Sequence, residues 1–478
     1  MSWPLLIKLF EYNAMPTLRR ITKNSSNGVL VSTIPPLSPL AWTNIASGVN
    51  PGKHGVFNFI RFTKNYETRI MSSKYVCYPR LHEMVALKGL KSVCVNQPLT
   101  YPLIKIKKSM VISDWIAPRL DCYPKSLQKY MHNYASYALD RKIRDNIRFL
   151  PKLYEYTKKR VDTVNRMMKQ LDWDLFWVIY SEPDVISHFY YKKVIRGDIS
   201  LLKIFEALDE TIKKASELSD IILIVSDHGF AEYKFLFCPN CFLDHLGLIS
   251  KTKNQIIKNP AEIHVKHHKL QFNLPTNFYN LFSIEPLRSF VKKALKLIYK
   301  RNIKIQTAYV DPKRSKAFLM SDHGIHVKTN TDINTIESEL RKLNFIKQVF
   351  IREKIYNGAY VEKAPHILFT YKEGYTTRSG SVLGRMLQKF PTYKHHRDGI
   401  IIVHGQDVEV QKLGRIVTCD IVPTILNYLG LPPPNDTDGK HIPCIPEKQI
   451  KPKTFNYLNH WQLIKKIHQV KRKLTKIT

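Results

Sequence analysis

The chain has 478 residues, 44% of them hydrophobic and 24% charged, an ordinary globular composition that excludes a disordered or collagen-like polymer. Against 39 Asp and Glu stand 75 Lys and Arg, a formal charge of +36. That charge favours anionic partners, phosphate among them, without specifying nucleic acid.

The N-terminus, Met1-Ser2-Trp3-Pro4, lacks a basic n-region and a small-residue cleavage site, so the expected location is cytoplasmic. No apolar run approaches the ~18–20 residues needed to span a membrane. Trp3–Tyr12 reads as an amphipathic helix with Pro4 tolerated near its start. Ser92–Asn96 reads as a short strand, but residues 60–170 are otherwise rich in Tyr, Lys and Pro and are read as an irregular, insert-like region. Leu175–Ser181 and Ile221–Ser226 are continuous apolar runs, the pattern of strands buried on both faces. Between them Leu201, Ile204, Phe205, Leu208 and Ile212 fall at helical spacing within Ser200–Leu218.

Residues 231–395 hold a further strand near Ala317–Val327, a helix near Ile333–Leu343 and a strand near His366–Thr370, which reads as an inserted subdomain. Gly399–Val403 is another buried strand, and the helix Ile421–Leu429 stops at Gly430 with Pro432 beyond. Strand and helix in this rhythm predict an α/β core around a mostly parallel sheet, formed by residues 1–230 and completed by 396–446. A basic tail, 447–478, carries Lys and Arg and, from Lys448 onward, no Asp or Glu. Trp461, Ile464 and Ile467, three apart, would dock it as a helix.

Seven irregularly spaced cysteines form no disulfide framework, which points to a reducing compartment. Cys238-Pro239-Asn240-Cys241 is one CxxC without a second pair, a weak zinc half-site.

In open parallel sheets ligands bind beyond the carboxyl ends of the strands. Glu182-Pro183-Asp184 and His188 follow the first apolar run, Ser226-Asp227-His228-Gly229 the second, and His395-His396-Arg397 precede Gly399–Val403. Asp and neutral His suit zinc and similar ions. Asp184 and His188, four apart, share a helix face. Upstream, Ser38 lies between Pro36 and Pro39 and leads into a helix, whose positive N-terminus suits an incoming phosphate; capping that helix is its simpler role.

These motifs together, PPLSPLAWTNIASGVNPGKHGVFNF over Pro35–Phe59, then Ser181–His188, Ser226–Gly229, His396–Gly399 and Asp420–Pro432 with Asp438-Gly439, resemble the type I phosphodiesterase/nucleotide pyrophosphatase family of the alkaline phosphatase superfamily, closest to its prokaryotic and archaeal branch. The resemblance covers roughly residues 1–445 and implies an alkaline-phosphatase-like α/β fold with an inserted subdomain. It implies a metal-dependent hydrolase of phosphoric esters, a phosphodiesterase, with a covalent phospho-serine intermediate. The nucleophile would be Ser38, with Thr43 as fallback. Asp184, His188 and His396 would hold one divalent ion, and Ser38, Asp227 and His228 the other, zinc being the family's usual metal and Mn²⁺ fitting the same set. His395 competes with His396, but the family pattern puts the ligand directly before Arg397. Ala41 stands where nucleotide pyrophosphatases carry an Asn, so Asn44 is the residue left to contact phosphate.

The family also carries an Asp-Gly pair at the end of a first strand, and this sequence begins after that point. The first strand is thus missing from the chain as given, either because the start lies upstream or because strand and ligand have been lost. The presence of every later ligand favours the former. A second Ser321-Asp322-His323-Gly324 repeats the metal tetrapeptide inside the inserted region and is read as coincidence. The substrate expected is a small phosphodiester or nucleotide. The rival reading is an impaired hydrolase-fold protein that binds phosphate-bearing ligands, with nucleic acid or an anionic membrane surface meeting the basic tail.

Overall fold

Ile400 to Val403 alternate across a sheet, and that alternation sets the layers of the molecule. Ile400 and Ile402 pack into one buried cluster with Leu5, Leu9, Leu201 and Phe205, while Ile401 and Val403 enter another with Trp42, Ile45 and Ile421. Helices therefore cover both faces of this strand, the arrangement a continuous apolar run requires. The computed structural model describes residues 1–63, 65–132, 134, 149–253, 271–272, 304–305, 308–319, 324–378, 382 and 384–474. Ser321, Asp322 and His323 of the repeated tetrapeptide lie outside them.

Two four-stranded sheets form the core. In the first the order is Lys412–Val417, Ser26–Val31, Asp398–Gly405, Ile221–Val225, with only Asp398–Gly405 running against the rest. In the second it is Cys122–Tyr123, Ser109–Ile112, Ser92–Val95, Leu175–Val178, parallel except for Cys122–Tyr123. The 60–170 region, expected to be irregular, thus supplies three of these strands and the whole of the helix Phe149–Gln170. Its strands are short, two to four residues, too brief for a periodicity to show.

The helices follow the spacing of their apolar residues. Ile199–Leu218 buries Leu201, Ile204, Phe205 and Leu208 and is capped by Asp198, whose side chain accepts from the N–H groups of Ser200 and Leu201. Asp209 on the same helix accepts from Thr17 and Leu18 N–H, capping the helix Pro16–Lys23 from across the interface. Ile421–Tyr428 gives way to Gly430 at φ +72°.

The antiparallel strands Gly229–Phe237 and Leu387–His396 lead to a separate core. There the sheet of Ala317–Leu319, Gly324–Val327, Ile367–Tyr371 and Ile346–Ile351 packs on the helix Asn330–Arg341 through Ile336, Leu340 and Phe369. The expected single strand near Ala317–Val327 is two strands paired antiparallel. Cys238 and Cys241 are joined as a disulfide, where the composition pointed to reduced thiols; the first turn of the helix Pro239–His245 brings their Cα atoms to 5.2 Å. The tail forms the helix Tyr457–Leu474, docked by Trp461 against Ala86 and Ile106, with Ile464 partly buried and Ile467 exposed. Among the described residues no helix is long and apolar enough to cross a membrane.

Candidate active site

The carboxyl ends of Leu175–Val178 and Ile221–Val225 deliver their following residues to one point. Asp184 and His188 sit one turn apart on the helix Glu182–Val194, with His188 Nε2 3.6 Å from Asp184 Oδ1. Asp227 and His228 leave the second strand, and His228 Nε2 lies 3.3 Å from Asp227 Oδ2 and 3.8 Å from Asp184 Oδ1. Gly229 makes that turn possible: a Cβ there would stand 2.0 Å from the Asp398 carbonyl oxygen. Ser38 opens the helix Ser38–Ser47, and its Oγ is 3.1 Å from His228 Nε2.

The sequence pointed to His396 as a further ligand, and here the structure differs. Successive side chains of a strand face opposite sides, so Leu387–His396 can turn only one of its two terminal histidines inward. It turns His395, with Nε2 3.3 Å from Asp184 Oδ1 and 2.9 Å from His188 Nε2, its ring stacked on His228 at a centroid distance of 3.6 Å. His396 faces away, its Nδ1 accepting from Asp398 N–H. Thr43 and Asn44 are likewise elsewhere. Thr43 lies about 140° around the helix from Ser38, and its Oγ1 donates to the Pro39 carbonyl in the core. Asn44 is buried between His54, which donates from Nε2 to its Oδ1, and the Cys419 sulfur.

Two backbone contacts orient the inward histidines. His395 donates from Nδ1 to the Pro36 carbonyl and His228 from Nδ1 to that of Gly229, so both present an Nε2 lone pair to the centre. One ligand atom from each of Asp184, His228 and His395 lies within 4.8 Å of the others. Asp184 Oδ1 and Asp227 Oδ2 are buried and accept no hydrogen bond of ordinary geometry. Carboxylate oxygens left unsatisfied beside preset imidazole nitrogens are a donor set that fits a divalent cation.

The electrostatics agree. Burial works to raise the Asp184 pKa, yet His188, His395 and His228 hold it far below the usual carboxylate range. Asp227 is pushed up to about 6 by burial and by the charge of Asp184. Burial, then His395, push His228 well below its ordinary value, whereas His395 is raised because Asp184 outweighs the effect of its burial. The Met1 ammonium donates to the His228 carbonyl at 3.1 Å, and Ser226 Oγ donates to the Met1 carbonyl. Beside the cluster lies a cleft of about 670 Å³ lined by Pro36, His395, Tyr233, Tyr375, Arg397 and Arg415 among others.

The profile of the type I phosphodiesterase / nucleotide pyrophosphatase family matches residues 1–381. The chain belongs to this family. It is accordingly a hydrolase of phosphoric esters, and Asp184, His228 and His395 are its candidate metal-binding group. Comparison with curated protein sequences gives no match. Among solved structures, phosphonoacetate hydrolase from Sinorhizobium meliloti in complex with phosphonoformate is similar, with a TM-score of 0.57 at 13% identity over 90% of this chain and 93% of that one. Alkaline phosphatase PafA superposes with a TM-score of 0.57 at 11% identity, covering 93% and 96%. Murine ectonucleotide pyrophosphatase / phosphodiesterase 5, an inactive form in complex with AMP, gives 0.51 at 12% identity and 94% of both chains. At these identities the likeness is one of fold, the alkaline-phosphatase-like α/β architecture.

Proposed function

We propose that this family member is a metal-dependent phosphodiesterase whose nucleophile is Ser38. The observation that carries the reading is the Ser38 hydroxyl at the positive end of its helix, 3.1 Å from His228 and within an Asp/His donor cluster. Asp184, His188 and His395 would hold one divalent ion, and Asp227, His228 and Ser38 a second, zinc or manganese both suiting the donors. Bound there, the ions would supply positive charge that acidifies the Ser38 hydroxyl and offsets charge on the phosphate oxygens.

The residues of the chain do the rest. The helix N-terminus receives the phosphate. Ser38 Oγ attacks phosphorus, its proton leaving toward the Asp227 carboxylate, which interacts with Ser38 and is a stronger base than an ordinary Asp. The bond from phosphorus to the leaving oxygen breaks, and water then cleaves the phosphoserine. The adjoining cleft, lined by Arg397, Arg415, Tyr233 and Tyr375 among others, suits the remainder of a nucleotide-like ester, in keeping with the AMP held by the murine relative.

Hydrolysis of bis(p-nitrophenyl) phosphate after addition of zinc or manganese, with p-nitrophenyl phosphate alongside, tests this. Metal-dependent turnover of the diester that vanishes in Ser38→Ala is the expected result. Turnover surviving Ser38→Ala would overturn the nucleophile, and phosphate binding without any turnover would favour the binding-protein reading.

A further inference from the structure

The helix Tyr457–Leu474 has two apolar faces where docking needs one. On the first, Tyr457 and Trp461 are fully buried, and Leu458 and Ile464 pack beside Trp461 against Ala86 and Ile106. Lys465 pins the same face, its Nζ donating to the Val76 carbonyl and lying 4.2 Å from the centre of the Trp461 ring. On the other side Leu463, Ile467 and Val470 are 59%, 44% and 56% exposed. Spaced four and three apart, they form one stripe about 10 Å long, roughly 150° around the helix from Trp461. Single apolar residues on a surface need no explanation, but a stripe along a helix already anchored by its opposite face does.

The surroundings of the stripe are basic. Lys466 is exposed on one flank. On the other, His460 is exposed and its ring packs 4.8 Å from that of Phe455, with Lys88 Nζ over the same Phe455 ring. The segment that packs Ile104 and Ile106 against this helix leaves Lys105 and Lys107 exposed. Between Lys448 and Thr478 there are nine Lys and Arg and no Asp or Glu.

We propose that this face docks the protein on an anionic lipid bilayer. The helix lies along the membrane, Leu463, Ile467 and Val470 enter the boundary between headgroups and acyl chains, and Lys466 with the neighbouring lysines meets the lipid phosphates. An apolar stripe between basic flanks matches that boundary, where hydrocarbon and negative charge lie side by side. Nucleic acid would pair with the lysines but leave the stripe in water. A second copy of the chain would cover the stripe but set two basic flanks face to face, in a protein of formal charge +36. Three short insertions give weak, reversible attachment. This inference rests on the C-terminal helix and not on the catalytic assignments.

The test is flotation of the full chain with vesicles of phosphatidylcholine alone or of phosphatidylcholine with phosphatidylserine. Binding to the anionic vesicles is expected to be at least ~10-fold the stronger and to fall with added salt. Leu463→Ser, Ile467→Ser and Val470→Ser made together should weaken it at least ~10-fold and leave Tm unchanged, since all three side chains are exposed. Lys466→Glu alone should weaken it at least ~5-fold. Absence of binding to anionic vesicles overturns the proposal, and so does equal binding by the triple variant, which would reduce the surface to charge alone. Duplex DNA bound by the natural chain and lost in the triple variant, or a dimer in sedimentation that the variant lacks, would give the stripe another partner and overturn it too.

Discussion

Ser38 Oγ comes within 3.1 Å of His228 Nε2 although 190 positions separate the two in sequence. Thr43, on the same helix, has its hydroxyl committed to the Pro39 carbonyl in the core. Ser38→Ala is therefore expected to lower the turnover number by at least ~10³-fold, while Thr43→Val keeps turnover and costs about 1 kcal/mol of stability. Paired kinetics and denaturant titrations check both. Loss of turnover in Thr43→Val with an intact fold would reverse the assignment.

The turn of Leu387–His396 that directs His395 inward makes two adjacent histidines unequal. His395→Ala should weaken zinc binding by at least ~10-fold, since it loses an inward Nε2 and the bond that orients it. His396→Ala should leave zinc affinity unchanged, because its ring bonds Asp398 N–H outside the cluster. Calorimetric titration of the metal-stripped variants separates them, and equal losses would contradict the placement.

Arg160 and Glu182 form an ion pair at 2.9 Å with both side chains fully buried. Glu182 begins the helix that carries Asp184 and His188, so the pair anchors the site from behind. Arg160→Met leaves a carboxylate without its counter-charge and should cost ~3–5 kcal/mol, whereas Arg160→Met with Glu182→Leu should recover most of that loss. Urea midpoints of the two variants decide it.

His54 is buried and neutral, donating from Nε2 to Asn44 and accepting at Nδ1 from Val56 N–H, with its pKa lowered by burial to about 3. The unfolded chain takes up this proton near pH 6.5 and the folded one does not, so stability contributed here is complete above that pH. It is lost as pH falls from 6.5 toward 3, by about 3 kcal/mol at pH 4. His54→Gln should be less stable at pH 7 and show a flatter decline between pH 6.5 and 4. An unchanged slope in that variant would count against the buried neutral imidazole.

Much of this protein was legible as a sequence. The helix around Leu201–Ile212, the strand Gly399–Val403 and the stop at Gly430 could be read because each depends on neighbours a few positions away. The ordered motifs located Ser38, Asp184, His188, Asp227 and His228, since residues placed just after buried strands have few other places to go. The strands Ser109–Ile112 and Cys122–Tyr123 were not legible, being too short to carry a period. The Arg160–Glu182 pair left no signal at all, because its partners meet only across helices.

What the sequence by itself determined was the chemistry available: carboxylates, imidazoles and a serine, set at strand ends and a helix start by local propensity and spacing. The tertiary structure alone decided which of them meet. His395 and His396 are equivalent as text, and only the pairing of Leu387–His396 with Gly229–Phe237 sets which ring faces Asp184. Two apolar runs with the same composition as buried strands turn out half-open, because burial belongs to the neighbours a strand acquires and not to its own residues.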